Sequence, residues 1–302
     1  MKKAYADQLV FVIDMLVKRG DSRDRVLGEL HPIPLLSCTI EGCVESGRDI
    51  TRGGARYNHG SIGAQALATV ADSLTAIKWA VFDKKLLTME ELIKHTRNNF
   101  QGAEDVRRRL LMAPKYGNDN PYADEIATWV ADVISRTVTN QKFPAGGRYR
   151  TCLISSLSQI PEGAGCGATP DGRPAGAAVS NGMSPSNAAD AKGVTAALRS
   201  AAAVSGFPFS DGTSVNININ PSVISTEERL DKFASMIEGY FALGGRQVQF
   251  NPISKTTLLD AQAHPENYTD LSVKVSGFSE RFIDIPKDSQ DDIIARTEHT
   301  AM

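Results

Sequence analysis

Apolar residues recur every three to four positions through AYADQLVFVIDMLVKRG, and this spacing predicts an amphipathic helix over 4–19. Pro32 and Pro34 close the approach to a short apolar stretch at 33–40. A glycine-rich bend at 52–61 leads into a long apolar helix over 63–83. Thr88 and Glu91 stand in capping-box spacing at the head of a helix over 88–100. Pro121 suits the first turn of a third helix, over 121–141. A strand is expected at 148–158, a Gly- and Pro-rich loop at 161–186 and a small-residue helix at 195–204. TSVNININ alternates strictly and predicts a strand at 213–220. A helix capped by Ser225 or Thr226 follows over 225–245, then a strand at 246–251 and a helix at 254–268. LSVKVSGF, 271–278, reads as a strand and turn, and 289–299 as a closing helix.

Strands alternating with helices of this length imply βα units, and hence an α/β fold with a mainly parallel sheet or barrel. The strands are few for so many helices, which is the pattern of part of a larger fold. Two of them carry a polar face. Asn216, Asn218 and Asn220 share one side, and so do Gln247, Gln249 and Asn251. Burying such a face unpaired is costly, so it must meet a cavity, partner groups or water. One reading is a barrel interior that holds a ligand, with Gln249 in the pocket; the other is an ordered polar core.

Composition narrows the classes. The 302 residues carry a net charge of −2 and no long basic run, which argues against a nucleic-acid or anionic-membrane surface. The N-terminal segment lacks a cleavage site, and no run of 18 apolar residues occurs, so neither a signal peptide nor a membrane span is expected. Cys38, Cys43, Cys152 and Cys166 show no CxxC pair, which fits a reducing cytoplasm and no bound metal. None of the five histidines pairs with a Ser or Cys in a nucleophile–base arrangement. Arg148 and Arg150 fall on one face of their strand; Arg150, further in, could bind a substrate carboxylate or sulfonate, and a salt bridge to a helix is the other reading.

The glycine of VKVSGFSERF raises a sharper question. Gly277 could simply serve a turn that needs positive φ. Yet Lys274, Val275, Ser276, Gly277 and Phe278, followed by QDDIIARTEH, resemble the signature of the glycyl radical enzymes. So do GGARYN (53–58), VADSLTAIKWAVFD (70–83), GATPDGRPAG (167–176), MSPS (183–186), VQFN (248–251) and LLDAQAHPENY (258–268). Together they resemble the dehydratase and lyase branch of the pyruvate formate-lyase-like group, in order along nearly the whole chain. The resemblance implies that Gly277 is the residue from which a radical-SAM enzyme removes a Cα hydrogen. Glycine suits that chemistry: its Cα radical can flatten and delocalise into both flanking amides, whereas a Cβ would crowd the approach. Such a radical implies an anaerobic setting.

Gly42-Cys43-Val44-Glu45 is written like the family's catalytic cysteine loop, where the cysteine carries a thiyl radical and the Glu is the base. Spacing and context separate the two. Too few residues lie between Cys43 and Gly277, and the surrounding HPIPLLSCTIEGCVESGRDITRGGARYN resembles a later family segment. The resemblance therefore implies that Cys43 is a structural or pocket-wall thiol and that the catalytic loop lies upstream; a catalytic Cys43 with Glu45 is the alternative.

The implied fold is α/β: the C-terminal portion of a ten-stranded α/β barrel, with a C-terminal glycyl radical loop and a closing helix. Residues 1–180 would belong to the barrel and 181–302 to the glycyl radical domain. The implied activity is radical C–O, C–N or C–S cleavage of a small substrate, once the chain is complete and activated. The alternatives are a spare radical domain that rescues an oxygen-damaged enzyme, and a pyruvate formate-lyase-like acyltransferase acting on C–C bonds. No bound cofactor is expected beyond the radical itself, installed at Gly277 by an S-adenosylmethionine-dependent iron–sulfur activating enzyme. Expected partners are that enzyme, an N-terminal half or homologous full-length subunit, a small-molecule substrate, and a second copy in a homodimer of the complete enzyme.

Overall fold

In the computed structural model, which describes residues 1–154 and 157–301, the chain forms two compact units. The first comprises 1–63, 132–152 and 208–212; the second comprises 64–131, 153–207 and 213–302.

In the first unit, α1 runs from Lys2 to Leu30, well beyond the expected 4–19. The short helices α2 (Pro34–Ser37) and α3 (Cys43–Ser46) follow, and then β1 (Ser61–Ala64). Ile13, Val138 and Tyr149 form the buried centre, with Leu9, Val17, Ile62 and Phe143 packed on it. The Tyr149 hydroxyl donates to Asp21 at 2.7 Å, and its ring meets Phe143 edge-on. Other apolar side chains of α1, among them Phe11, Met15 and Leu30, are exposed.

The second unit begins with α4 (Leu67–Ile77), which continues as a π-helical turn over Lys78–Asp83. α5 (Met89–Arg97) starts as expected: Thr88 Oγ1 accepts from Glu91 N and Glu91 Oε2 accepts from Thr88 N. α6 (Glu104–Leu111) is a helix that the hydrophobic pattern did not predict. α7 (Pro121–Thr139) contributes residues to each unit. β2 (Arg150–Leu153), whose first three residues belong to the first unit, is shorter than the expected strand, of which residues 155 and 156 lie outside the described residues.

Next come α8 (Gln159–Ala164), α9 (Val194–Ser205), β3 (Asn216–Ile219), α10 (Glu227–Ala242), β4 (Gln249–Asn251) and α11 (Lys255–Ala263). Thr226 and Ser254 cap α10 and α11 through their hydroxyls. The chain closes with β5 (Ser272–Lys274), β6 (Ser279–Arg281), α12 (Lys287–Ala295) and β7 (Glu298–His299). The expected helix over 289–299 therefore stops at Ala295, and the chain turns extended at Arg296 to reach the sheet.

That sheet is parallel, in the order β4-β3-β7. Asn216 pairs with Gln249 and Asn218 with Asn251, so the two polar faces coincide. Mixed α/β structure with parallel strands is what the alternating pattern predicted. The hairpin β5–β6 packs beside it, with Val273, Val275 and Phe282 in one apolar cluster with Leu258, Ile285 and Ile293.

Candidate functional site

Gly277 sits at the tip of the β5–β6 hairpin. Lys274 pairs with Ser279, and Val275 N donates to Phe278 O at 2.9 Å, so Ser276 and Gly277 are the two turn residues. Gly277 has φ +94°, the sign that a type II turn requires at its second central residue. It is exposed, while Val275 and Ser276 before it are buried. A Cβ added at Gly277 would come no nearer than 4.0 Å to any atom, the closest being Gln249 Nε2. Backbone conformation, not lack of room, is what reserves this position for glycine here.

The polar faces of β3 and β4 hold this turn. Asn251 brackets Lys274: its Oδ1 accepts from Lys274 N at 2.6 Å and its Nδ2 donates to Lys274 O at 2.8 Å. The same Nδ2 reaches Asn218 Oδ1 at 3.3 Å, and Asn218 Nδ2 donates to Ile293 O of α12 at 2.9 Å. Ser276 Oγ and Asn216 Nδ2 both donate to Asn181 Oδ1. Gln249 Oε1 accepts from Gly277 N at 3.3 Å. Among the described residues these faces bond to one another and to the chain's own hairpin.

Arg296, which the sequence reading passed over, completes the hold. It is buried and donates to Val275 O at 3.1 Å and to Asp292 Oδ2 at 3.2 Å. Asp292 also accepts from Gln159 and Asn187. Burial pulls the Arg296 guanidinium below its ordinary range, opposed by the Asp292 carboxylate. The Asp292/Arg296 spacing, one helical turn, was the signal available in the sequence.

The other expected residues lie in the first unit. Cys43 is buried at the start of α3. Burial pushes its thiol up, and the Asp49 and Glu45 carboxylates add to this. Glu45 closes a turn, its Oε2 accepting from Gly42 N at 2.9 Å. Arg150 is exposed at the start of β2. Of the separately expected site residues, Gln249 and Gly277 are joined by a hydrogen bond. The loop around Asp171 is stitched locally, with Asp171 Oδ1 accepting from Thr169 and Arg173 donating to the Gly167, Pro174 and Ala177 carbonyls.

A family profile described as pyruvate formate lyase-like matches residues 1–163, and one described as glycine radical matches 179–283. The chain is 38% identical over 299 residues to trans-4-hydroxy-L-proline dehydratase of Clostridioides difficile, covering 99% of this chain and 38% of that protein. It is 39% identical over 248 residues to isethionate sulfite-lyase of Oleidesulfovibrio alaskensis, covering 81% of this chain and 30% of that one. The glycerol-bound B12-independent glycerol dehydratase of Clostridium butyricum superimposes with a TM-score of 0.95 at 38% identity, over 99% of this chain and 38% of that structure. The chain thus spans well under half the length of these relatives. Among the described residues, no helix is long and apolar enough to cross a membrane. With both profiles matched in order and Gly277 inside the second, the chain belongs to the pyruvate formate lyase-like family of glycyl radical enzymes.

Proposed function

We propose that this chain carries the radical glycine of a dehydratase or lyase that cleaves a C–O, C–N or C–S bond in a small substrate. The observation that carries the proposal is Gly277: exposed at a turn tip, inside the glycine radical segment, with the three residues leading to it held by buried polar side chains. Exposure gives an activating enzyme access to the Cα hydrogen. Removing that hydrogen atom leaves one unpaired electron on Cα, free to conjugate with the amides on either side. An S-adenosylmethionine-dependent iron–sulfur enzyme is the activating partner, and the substrate pocket is completed by polypeptide matching the rest of the relatives' length.

In this reading the three-stranded sheet is part of a ten-stranded barrel, with residues 1–180 in the barrel domain and 181–302 in the glycyl radical domain. Cys43 serves as a structural thiol and Glu45 as a turn cap, since the Glu45 carboxylate is engaged with Gly42 N. Arg150 is the candidate anion-binding residue because its guanidinium is exposed on a strand. The dehydratase and sulfite-lyase activities of the relatives support the C–O and C–S options.

The test is anaerobic electron paramagnetic resonance on the chain incubated with an activating enzyme, S-adenosylmethionine and reductant. A doublet organic radical is expected, and it should vanish in Gly277→Ala. That variant keeps its surroundings, because the added methyl meets open space, at a strain of roughly 1–3 kcal/mol. A folded chain that yields no radical with several activating enzymes would overturn the proposal.

A further inference from the structure

We propose that Gln249 is a positioning residue for the Gly277 radical, its carboxamide fixing the plane of the 276–277 peptide and enriching its nitrogen in electron density. This rests on the reading of Gly277 as the radical site.

The other polar anchors grip the chain upstream of the glycine, at Lys274, Val275 and Ser276. Gln249 reaches Gly277 itself. Its own backbone is pinned in the sheet: Gln249 N donates to Val215 O at 2.8 Å, and the residue stands opposite Asn216. The orientation of its amide follows from chemistry, because only the oxygen can accept from Gly277 N–H. Nε2 then lies on the side of Gly277 where a side chain would project, 4.0 Å from the Cβ position. The carboxamide thus faces the glycine along its N–H and beside its Cα.

A Cα radical is stabilised by donation from the adjoining nitrogen and by withdrawal into the carbonyl. An acceptor on the N–H raises the electron density at nitrogen and strengthens that donation. Spin then leaves Cα for the amide. The same bond holds the peptide plane against rotation, and conjugation requires that plane to align with the radical orbital. Packing alone accounts for neither effect, since Gly277 is exposed.

The test compares Gln249→Leu, which removes the acceptor, with Gln249→Glu, which keeps one. Two readouts are used. The first needs no radical: the Gly277 amide resonance in chain labelled with 15N-glycine, assigned by its loss in Gly277→Ala. In the Leu variant this proton should move upfield and exchange with solvent about three- to tenfold faster; in the Glu variant it should stay near the wild type. The second is the radical spectrum after activation. The Cα–H doublet splitting scales with spin on Cα, so it should widen in the Leu variant, and the radical should decay several-fold faster under strict anaerobiosis. The Glu variant should restore both.

An unchanged amide in the Leu variant would overturn the contact whatever the radical does. A shifted amide with an unchanged splitting and lifetime would overturn the electronic role and leave a turn anchor only. Absence of a radical in the wild type, with the amide responding as expected, would instead sink the reading of Gly277 on which the proposal stands.

Discussion

Replacing Asn251 by Leu should release the glycine hairpin without dismantling the unit around it. Asn251 is 2% exposed and makes three hydrogen bonds, two to the Lys274 peptide groups and one to Asn218. Net worth is about 1 kcal/mol for each, and Leu of similar volume leaves little cavity, so the loss should be about 3 kcal/mol. In the opening equilibrium of the hairpin that is more than a hundredfold. Amide hydrogen exchange measures it directly. Val275 N, bonded to Phe278 O, and Phe282 N, bonded to Leu271 O, report on the hairpin. Amides of α4 report on the rest of the unit. Hairpin amides should exchange more than a hundredfold faster, while α4 amides change much less, because local opening restores water to the Lys274 groups before the sheet is lost. Leu at 251 with hairpin exchange within threefold of the wild type would refute the assignment of the clamp.

Two further predictions concern buried charge. Asp72 is fully buried in α4, and burial pushes its carboxyl up from 3.8 to about 7, Lys115 and the Tyr116 N–H opposing and Asp171 adding to it. The native state therefore keeps a proton that the unfolded chain releases, so stability should fall as pH rises from about 4 to about 7; about three pH units at roughly 1.4 kcal/mol each give on the order of 4 kcal/mol. Asp72→Asn, whose amide can still accept from Tyr116 N and donate to Ser186, should flatten that slope in denaturant titrations, and an unchanged slope would assign it elsewhere. Arg296→Met leaves the Asp292 carboxylate buried without its cation and should cost about 3–5 kcal/mol by urea unfolding, whereas a loss under 1 kcal/mol would show the pair to be dispensable.

What was legible in the sequence was what local chemistry dictates. Thr88 and Glu91 cap a helix through atoms three residues apart, and the alternation of NINI places the Ile and Asn side chains on opposite faces wherever that strand lies. β7 was not legible because it is two residues long and its partner, β3, lies some 80 positions earlier. α6 was missed because EDVRRRLL has few apolar positions and its N-cap, Ala103, makes no side-chain bond. The Asn and Gln faces were legible as polar. Their occupant was not, since it arrives from residues 274–277 through tertiary packing. Gly42-Cys43-Val44-Glu45 is written like a catalytic loop, and in the structure the Glu45 carboxylate accepts from Gly42 N, a contact the string alone did not reveal.

Two readings of Gly277, turn residue and radical carrier, turn out to be compatible. A φ of +94° would favour glycine at that tip in any hairpin, so the residue alone does not discriminate between them. The anchoring does. An ordinary exposed turn needs no more than its own backbone bonds. Here Asn251, Arg296, Asn181 and Gln249, from separate parts of the chain, bond to the consecutive residues Lys274, Val275, Ser276 and Gly277. Arg296 and two of these amide-bearing partners, Asn181 and Asn251, are buried, and burying such groups is costly unless their bonds are made. A sheet that needed only stability would do better with apolar residues on that face. Holding one exposed Cα at a fixed position and orientation is a requirement that this arrangement meets, and it is the requirement that radical transfer through a single atom imposes.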